Sequence, residues 1–186
     1  MNISKKSAGI FSLVLVITSG FFAYALLTPN NPMQMGSMDH GSSHSSTAGA
    51  TLSADDAMFL QMMIPHHTQA VVIAEYAITN SKNEQVVKIA KQIKSDQADE
   101  IAQMTKWLTD DNQSTQAGHS MAGMSGMLSE AQLNTLKTSK GAAFDKLFLN
   151  SMIEHHQGAL AMVGMIENSK VAALRDFATA VSTAQQ

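Results

Sequence analysis

Residues 56–70 read DAMFLQMMIPHHTQA and residues 145–159 read DKLFLNSMIEHHQGA. At a constant offset of 89, Asp56, Phe59, Leu60, Met63, Ile64, His66, His67 and Ala70 recur as Asp145, Phe148, Leu149, Met152, Ile153, His155, His156 and Ala159. Apolar residues three and four apart share one face of a helix, so each stretch predicts an amphipathic helix carrying a doubled histidine. Four of the seven histidines lie in these two pairs.

The pattern extends outward. Ser53 is a natural N-cap, with Asp55 and Asp56 where the helix dipole favours anions, so the first long helix is expected to start near 53 and run to 80. Its stripe is Leu60, Met63, Ile64, His67, Ala70, Val71, Ala74, Ala77 and Ile78, and Pro65 inside it predicts a kink just before the histidines. A second helix is expected over 83–109, on the stripe Val86, Ile89, Ala90, Ile93, Gln97, Ile101, Met104 and Leu108. Ser129-Glu130-Ala131-Gln132 reads as a capping box opening a short helix over 129–138. A third long helix is expected over 141–168, with Leu149, Met152, Ile153, His156, Ala159, Leu160, Val163 and Ile166 inward, and a fourth over 171–184.

The second and fourth helices also repeat: Val86, Ile89, Ala90, Ile93 and Gln97 match Leu174, Phe177, Ala178, Val181 and Gln185 at an offset of 88. Two copies of one amphipathic hairpin, each unable to bury its face alone, predict an all-α four-helix bundle over 53–186 with an interhairpin linker at 110–128. In an up-down-up-down arrangement the first and third long helices would run parallel. Counting residues across the hairpins puts Gln97 opposite His67 and Gln185 opposite His156. The second copy has no counterpart of Glu100, Ile101 and Met104, so one end of the bundle is expected to be uneven.

The flanks bear on location. Lys5 and Lys6 precede AGIFSLVLVITSGFFAYALL, residues 8–27, an uncharged run long enough to span a bilayer. Residues 1–27 thus read as a signal peptide or signal anchor, placing the remainder on the periplasmic or extracellular side and leaving any membrane contact to this segment. Residues 28–52 are rich in Pro, Gly, Ser and Thr without an apolar period, which predicts a disordered linker, yet they carry Met33, Met35, Met38, His40 and His44. The interhairpin linker likewise carries His119, Met121, Met124 and Met127. A net charge of −3 leaves no nucleic-acid footprint, and the absence of cysteine excludes disulfides and thiolate sites.

These observations point to a soft metal. Methionine is abundant, at 14 residues. Met63 stands three and four residues before His66 and His67, and Met152 stands identically before His155 and His156; Met62 is four before His66, and Met162 follows the second pair. Thioethers and neutral imidazoles on one face suit Cu(I), with Ag(I) as its surrogate and Cu(II) as a second oxidation state. They suit zinc, magnesium and calcium poorly. The linker donors His119, Met121, Met124 and Met127 suit the same ions.

Over residues 53–186 the chain resembles the domain-of-unknown-function-305 family, and within it the copper-binding periplasmic members. The resemblance rests on D-x-x-F-L-x-x-M-I-x-H-H-x-x-A in both copies and on Gln97-x-x-Glu100-Ile101-x-x-Met104. It implies a ferritin-like helical bundle in an exported protein that binds copper through Met and His and contributes to copper resistance. By this resemblance the ligands would be Met63, His66, His67, Met152, His155 and His156; Met104 is a further candidate ligand, and a copper exporter or sensor kinase is an expected partner. Two other functions compete. One is a copper redox enzyme; a diiron version lacks the Glu-x-x-His pattern such bundles need. The other is an envelope interaction module with a plain helical core.

Overall fold

The computed structural model describes residues 51–118 and 123–186. They form α1 (Ala54–Asn80), α2 (Glu84–Asp110), α3 (Glu130–Thr138), α4 (Gly141–Val163) and α5 (Ala172–Ala184), with no strand among the described residues. The predicted export segment, the linker to residue 50, and His119 and Met121 lie outside them. No described helix is long and apolar enough to cross a membrane.

Local chemistry sets the helix starts. Ser53 and Asp56 form a full capping box at α1, and Ser129 and Gln132 form another at α3. Asn83 caps α2 by accepting from the Gln85 amide. α1 stays helical through Pro65. The third long helix ends earlier than expected: beyond Val163 the Met165 and Ile166 amides reach back only three residues, to Met162 and Val163, and the chain tightens into turns.

α1 and α2 pack along each other as one antiparallel hairpin, α4 and α5 as the other. The hairpins do not meet as expected. Ser81 Oγ donates to Asp145 Oδ1 (2.6 Å), and Asn80 donates to the Lys137 carbonyl (3.1 Å), so the end of α1 lies at the start of α4. α1 and α4 are therefore antiparallel, not parallel. The linker between the hairpins must travel the length of the molecule to make this possible. It passes Gln61, whose Nε2 donates to the Ser114 carbonyl, and then Gln69, which exchanges two bonds with the Leu128 backbone.

Two apolar clusters result. Phe59, Leu60, Met63, Met104, Leu108, Met162, Val163, Ile166, Leu174 and Phe177 fill the end near the start of α1. Ile73, Ala74, Ala77, Val86, Leu136, Phe144, Phe148 and Met152 fill the other. Each fully buried large side chain contributes about 1.5–3 kcal/mol relative to exposure. The inward face of α4 is set by Phe144, Phe148, Met152, His155, Ala159 and Met162. Leu149 and Ile153, expected inside, are exposed at 39% and 56%, and Ile89 on α2 at 45%. α4 is thus rotated from the predicted stripe, because the two phenylalanines are larger than the residues on the competing face and anchor it against α1.

Candidate metal centre

Between the two apolar clusters lies a polar layer. His66, His67 and His155 are fully buried and His156 is half-buried. The His66 and His155 rings meet with centroids 3.8 Å apart, tilted by 40°. These residues are counterparts at the offset of 89, so an approximate two-fold axis passes between them. Other equivalent pairs obey the same symmetry. Ser81, at the end of the first helix of one copy, donates to Asp145 of the other, while its counterpart Ser169 sets its hydroxyl beside Asp56. The repeated aspartates therefore tie hairpin to hairpin and do not reach the histidines. Burial alone would raise the Asp56 pKa, but the Ser53 backbone and hydroxyl and the Ser169 hydroxyl more than offset it and hold the carboxyl below its usual value.

The linker covers the centre of the layer from one side. A Cβ added at Gly158 would lie 2.1 Å from the Ser125 carbonyl oxygen, and one at Gly126 would lie 2.8 Å from the Glu154 and His155 carbonyl oxygens. Only glycine permits this approach, and Gly126 also holds φ at +80°, where side chains are strained. Gln69, the counterpart of Gly158, grips the same strap through Leu128, its Nε2 donating to the carbonyl at 2.9 Å and its Oε1 accepting from the amide at 2.7 Å.

α2 closes the other side. His67 Nε2 donates to Glu100 Oε2 at 2.7 Å, and Gln97 Nε2 lies 3.5 Å from His156 Nε2. The expected facing of Gln97 and His67 is displaced by about one turn: Glu100 takes that place, and Gln97 reaches across to the other hairpin. Sequence reasoning used Glu100 only as a motif letter. Its signal was present, since it stands three residues after Gln97 and so shares its face.

The electrostatics keep His66, His155 and His156 uncharged. Burial, reinforced by the neighbouring His67, pushes His66 down to about 4. Burial, with His66 and His156 beside it, pushes His155 down to about 2. His156 falls to about 4 for the same reason, burial first and His67 second, with Glu100 opposing. Neutral imidazoles present lone pairs, and here those lone pairs are unmet. Both ring nitrogens of His66 and of His155, Nδ1 of His67, and Oε1 of Gln97 and of Gln185 are buried without a well-formed hydrogen bond; the nearest backbone partners are Ser125 for His66 and His66 for His155. Among the described residues, all such side-chain atoms except Oε1 of Gln185 belong to His66, His67, His155 and Gln97.

The candidate thioethers divide unevenly. Met63, Met104 and Met162 are buried together on one side of the layer, with Met62 and Met124 at their margin. Met152 is buried on the opposite side. Met127 is half-buried on the strap. Among the described residues no three His, Asp or Glu side chains converge as a ready-made cage.

The model of the family described as Domain of unknown function (DUF305) matches residues 56–186. A fragment of a DUF305 protein from Deinococcus radiodurans superposes with a TM-score of 0.68 at 29% identity, over 73% of this chain and 90% of that one. A DUF305 protein from Streptomyces coelicolor, assigned as secreted, gives 0.66 at 26% identity, over 72% and 85%. CopM in its Cu(I)-bound form gives 0.59 at 27% identity, over 72% and 88%, and it is also solved in Cu(II)- and Ag-bound forms. No curated protein sequence matches the chain.

Proposed function

The chain belongs to the DUF305 family, and from that premise we propose that it is an extracytoplasmic copper-binding protein that sequesters Cu(I) or hands it on. Cu(II) and Ag(I) are further ions it takes. The observation that carries this reading is the set of buried, partnerless nitrogens in one layer. A plain helical core would leave its buried polar atoms paired. Each unmet buried donor or acceptor costs about 1–3 kcal/mol, which apolar side chains at these positions would avoid. Neutral imidazole nitrogens beside buried thioethers are donors that a soft cation accepts.

The donors we assign are His66, His67, His155 and His156, with Met63 and Met152 one turn before each pair. Met62, Met104 and Met162 extend the set on one side, and His119, Met121, Met124 and Met127 act along the linker. Glu100 orients His67, holding the proton on Nε2 so that Nδ1 carries the lone pair. We read the four long helices as a ferritin-like four-helix bundle whose role is binding, without turnover. Residues 1–27 direct export as signal or anchor, which agrees with the secreted assignment of the Streptomyces relative. An exporter or sensor kinase of the envelope is the class of protein that would receive the ion.

Native mass spectrometry of the chain with Cu(I), Ag(I) and Zn(II) tests the reading. Cu(I) and Ag(I) should be retained and Zn(II) not, and the variant with His67→Ala and His156→Ala should lose metal. Equal retention by the variant, or preference for Zn(II), would sink it.

A further inference from the structure

The four histidines are covered by two different parts of the chain. At 3.6 residues per turn, Gln69 stands about 60° around α1 from His66 and about 160° from His67. Its counterpart Gly158 stands in the same relation to His155 and His156 on α4. Gln69 and Gly158 both touch the strap of residues 123–128, so the strap lies on the side of His66 and His155. His67 and His156 turn the other way, to Glu100 and Gln97 of α2. The two covers are held differently. α2 is a helix of 27 residues that buries Val86, Ala90, Gln97, Met104 and Leu108. The strap has no helix, and Leu128 is its one buried residue. A single side chain, Gln69, grips that end by two hydrogen bonds. At the other end Gly123 holds φ at +83° with open space around it, a backbone freedom that glycine supplies.

We propose that Gln69 is a positioning residue, a latch whose two bonds to Leu128 hold the strap shut over His66 and His155, and that the strap swings at Gly123 to admit a soft ion to that pair. Both histidines are wholly buried, so an ion meets them only after a cover moves. The strap is the lighter cover. Displacing α2 would unpack Met104 and Leu108 from the core. Lifting the strap releases Leu128 and the half-buried Met124 and Met127. Gly126 and Gly158 meet through backbone alone, with no side chain interlocked between them, so they part without disturbing α4. The Ser125 backbone, the nearest partner of His66, leaves with the strap. Met124 and Met127 flank Ser125-Gly126, which brings thioethers to the edge of the opening.

The admission of metal rests on the copper reading, but the latch is measurable without metal. Diethyl pyrocarbonate acylates neutral imidazole, and mass spectrometry of the fragments reads each histidine. In the full-length chain in detergent at neutral pH, Gln69→Ala should speed acylation of His66 and His155 about tenfold, as the loss of two hydrogen bonds implies, and leave His67 as slow as before. Gln69→Leu, which keeps bulk without the bonds, should do the same. Unchanged rates at His66 and His155 overturn the proposal. Equal acceleration of His67 also overturns it, since that marks a general loosening of the bundle. So does an effect in the alanine variant that the leucine variant lacks, because bulk would then be the hold. For the ion, Gln69→Ala should take up Ag(I) about tenfold faster in stopped flow, with the same final amount bound. Faster acylation with unchanged Ag(I) uptake overturns the entry route. Faster acylation in a chain that binds no Ag(I) would keep the latch and remove the copper reading.

Discussion

An imidazole buried with both nitrogens unpaired trades stability for something else. His66 and His155 are both in that state, with their rings tilted against each other between the two apolar clusters. Replacing both with leucine, similar in volume, removes four unmet nitrogens. Metal-free H66L/H155L is expected to gain about 1–3 kcal/mol, while the rise in melting temperature on adding Ag(I) disappears. Thermal melts with and without Ag(I) check both halves at once. A second expectation concerns acid. His66, His155 and His156 have folded-state values near 4, 2 and 4, all below the ordinary 6.5, so the unfolded chain takes up protons first. Stability is therefore whole above pH 6.5 and falls as pH drops toward 4, with His155 extending the loss toward 2. Each group contributes at most about 1.4 kcal/mol per pH unit below 6.5, so the three together should cost metal-free protein on the order of 5 kcal/mol between pH 7 and 5. Denaturant titrations at the two pH values measure it, and a flat profile would contradict neutral burial. Glu100→Gln keeps the shape but weakens the orientation of His67; metal affinity should fall about tenfold with little change in fold.

At the scale of elements, the linker strap is held by its glycines. Gly158→Ala places a methyl 2.1 Å from the Ser125 carbonyl, a contact the helix backbone cannot relieve by a rotamer change. The strap must lift. The expected result is a loss of about 2 kcal/mol or more, in the range for overpacking, together with faster proteolytic nicking near the strap. Gly118→Ala has open space around it and serves as the neutral comparison. The serine–aspartate ties are smaller. Ser81→Ala removes one hydrogen bond to a carboxylate and should cost about 1.5–3 kcal/mol, detectable in denaturant midpoints.

At the scale of the whole molecule, the approximate two-fold brings like to like: His66 to His155, Ser81 to Asp145 as Ser169 to Asp56. A histidine layer on that axis draws on both hairpins, so an ion held there would clamp them together. Ag(I) at one hundred times its dissociation constant should then raise unfolding stability by about 2.7 kcal/mol, whichever hairpin carries the probe. Hydrogen exchange that slows in α1 and α2 but not in α4 would show that the pairs act separately.

The duplicated D-x-x-F-L-x-x-M-I-x-H-H stretch by itself determined the helices, their caps at Ser53 and Ser129, the hairpin repeat and the histidines as the residues to watch. Those are matters of spacing along one chain, where a period of 3.6 and a capping side chain act over a few residues. Only the tertiary structure decided that α1 and α4 run antiparallel, because a chain may return by a short turn or by a long crossover and local sequence weighs neither. From that followed which histidine of the second pair faces inward, the pairing of Glu100 with His67 in place of Gln97, the hairpin ties of Asp56 and Asp145, and the need for glycine at 126 and 158. Each is a contact between residues far apart in the chain, set by how two faces slide and rotate to bury Phe144, Phe148 and Phe59. The apolar stripe of Leu149 and Ile153 reads the same as that of Leu60 and Ile64, and only the packing of Phe144 and Phe148 on the inward face of α4 turns it to solvent.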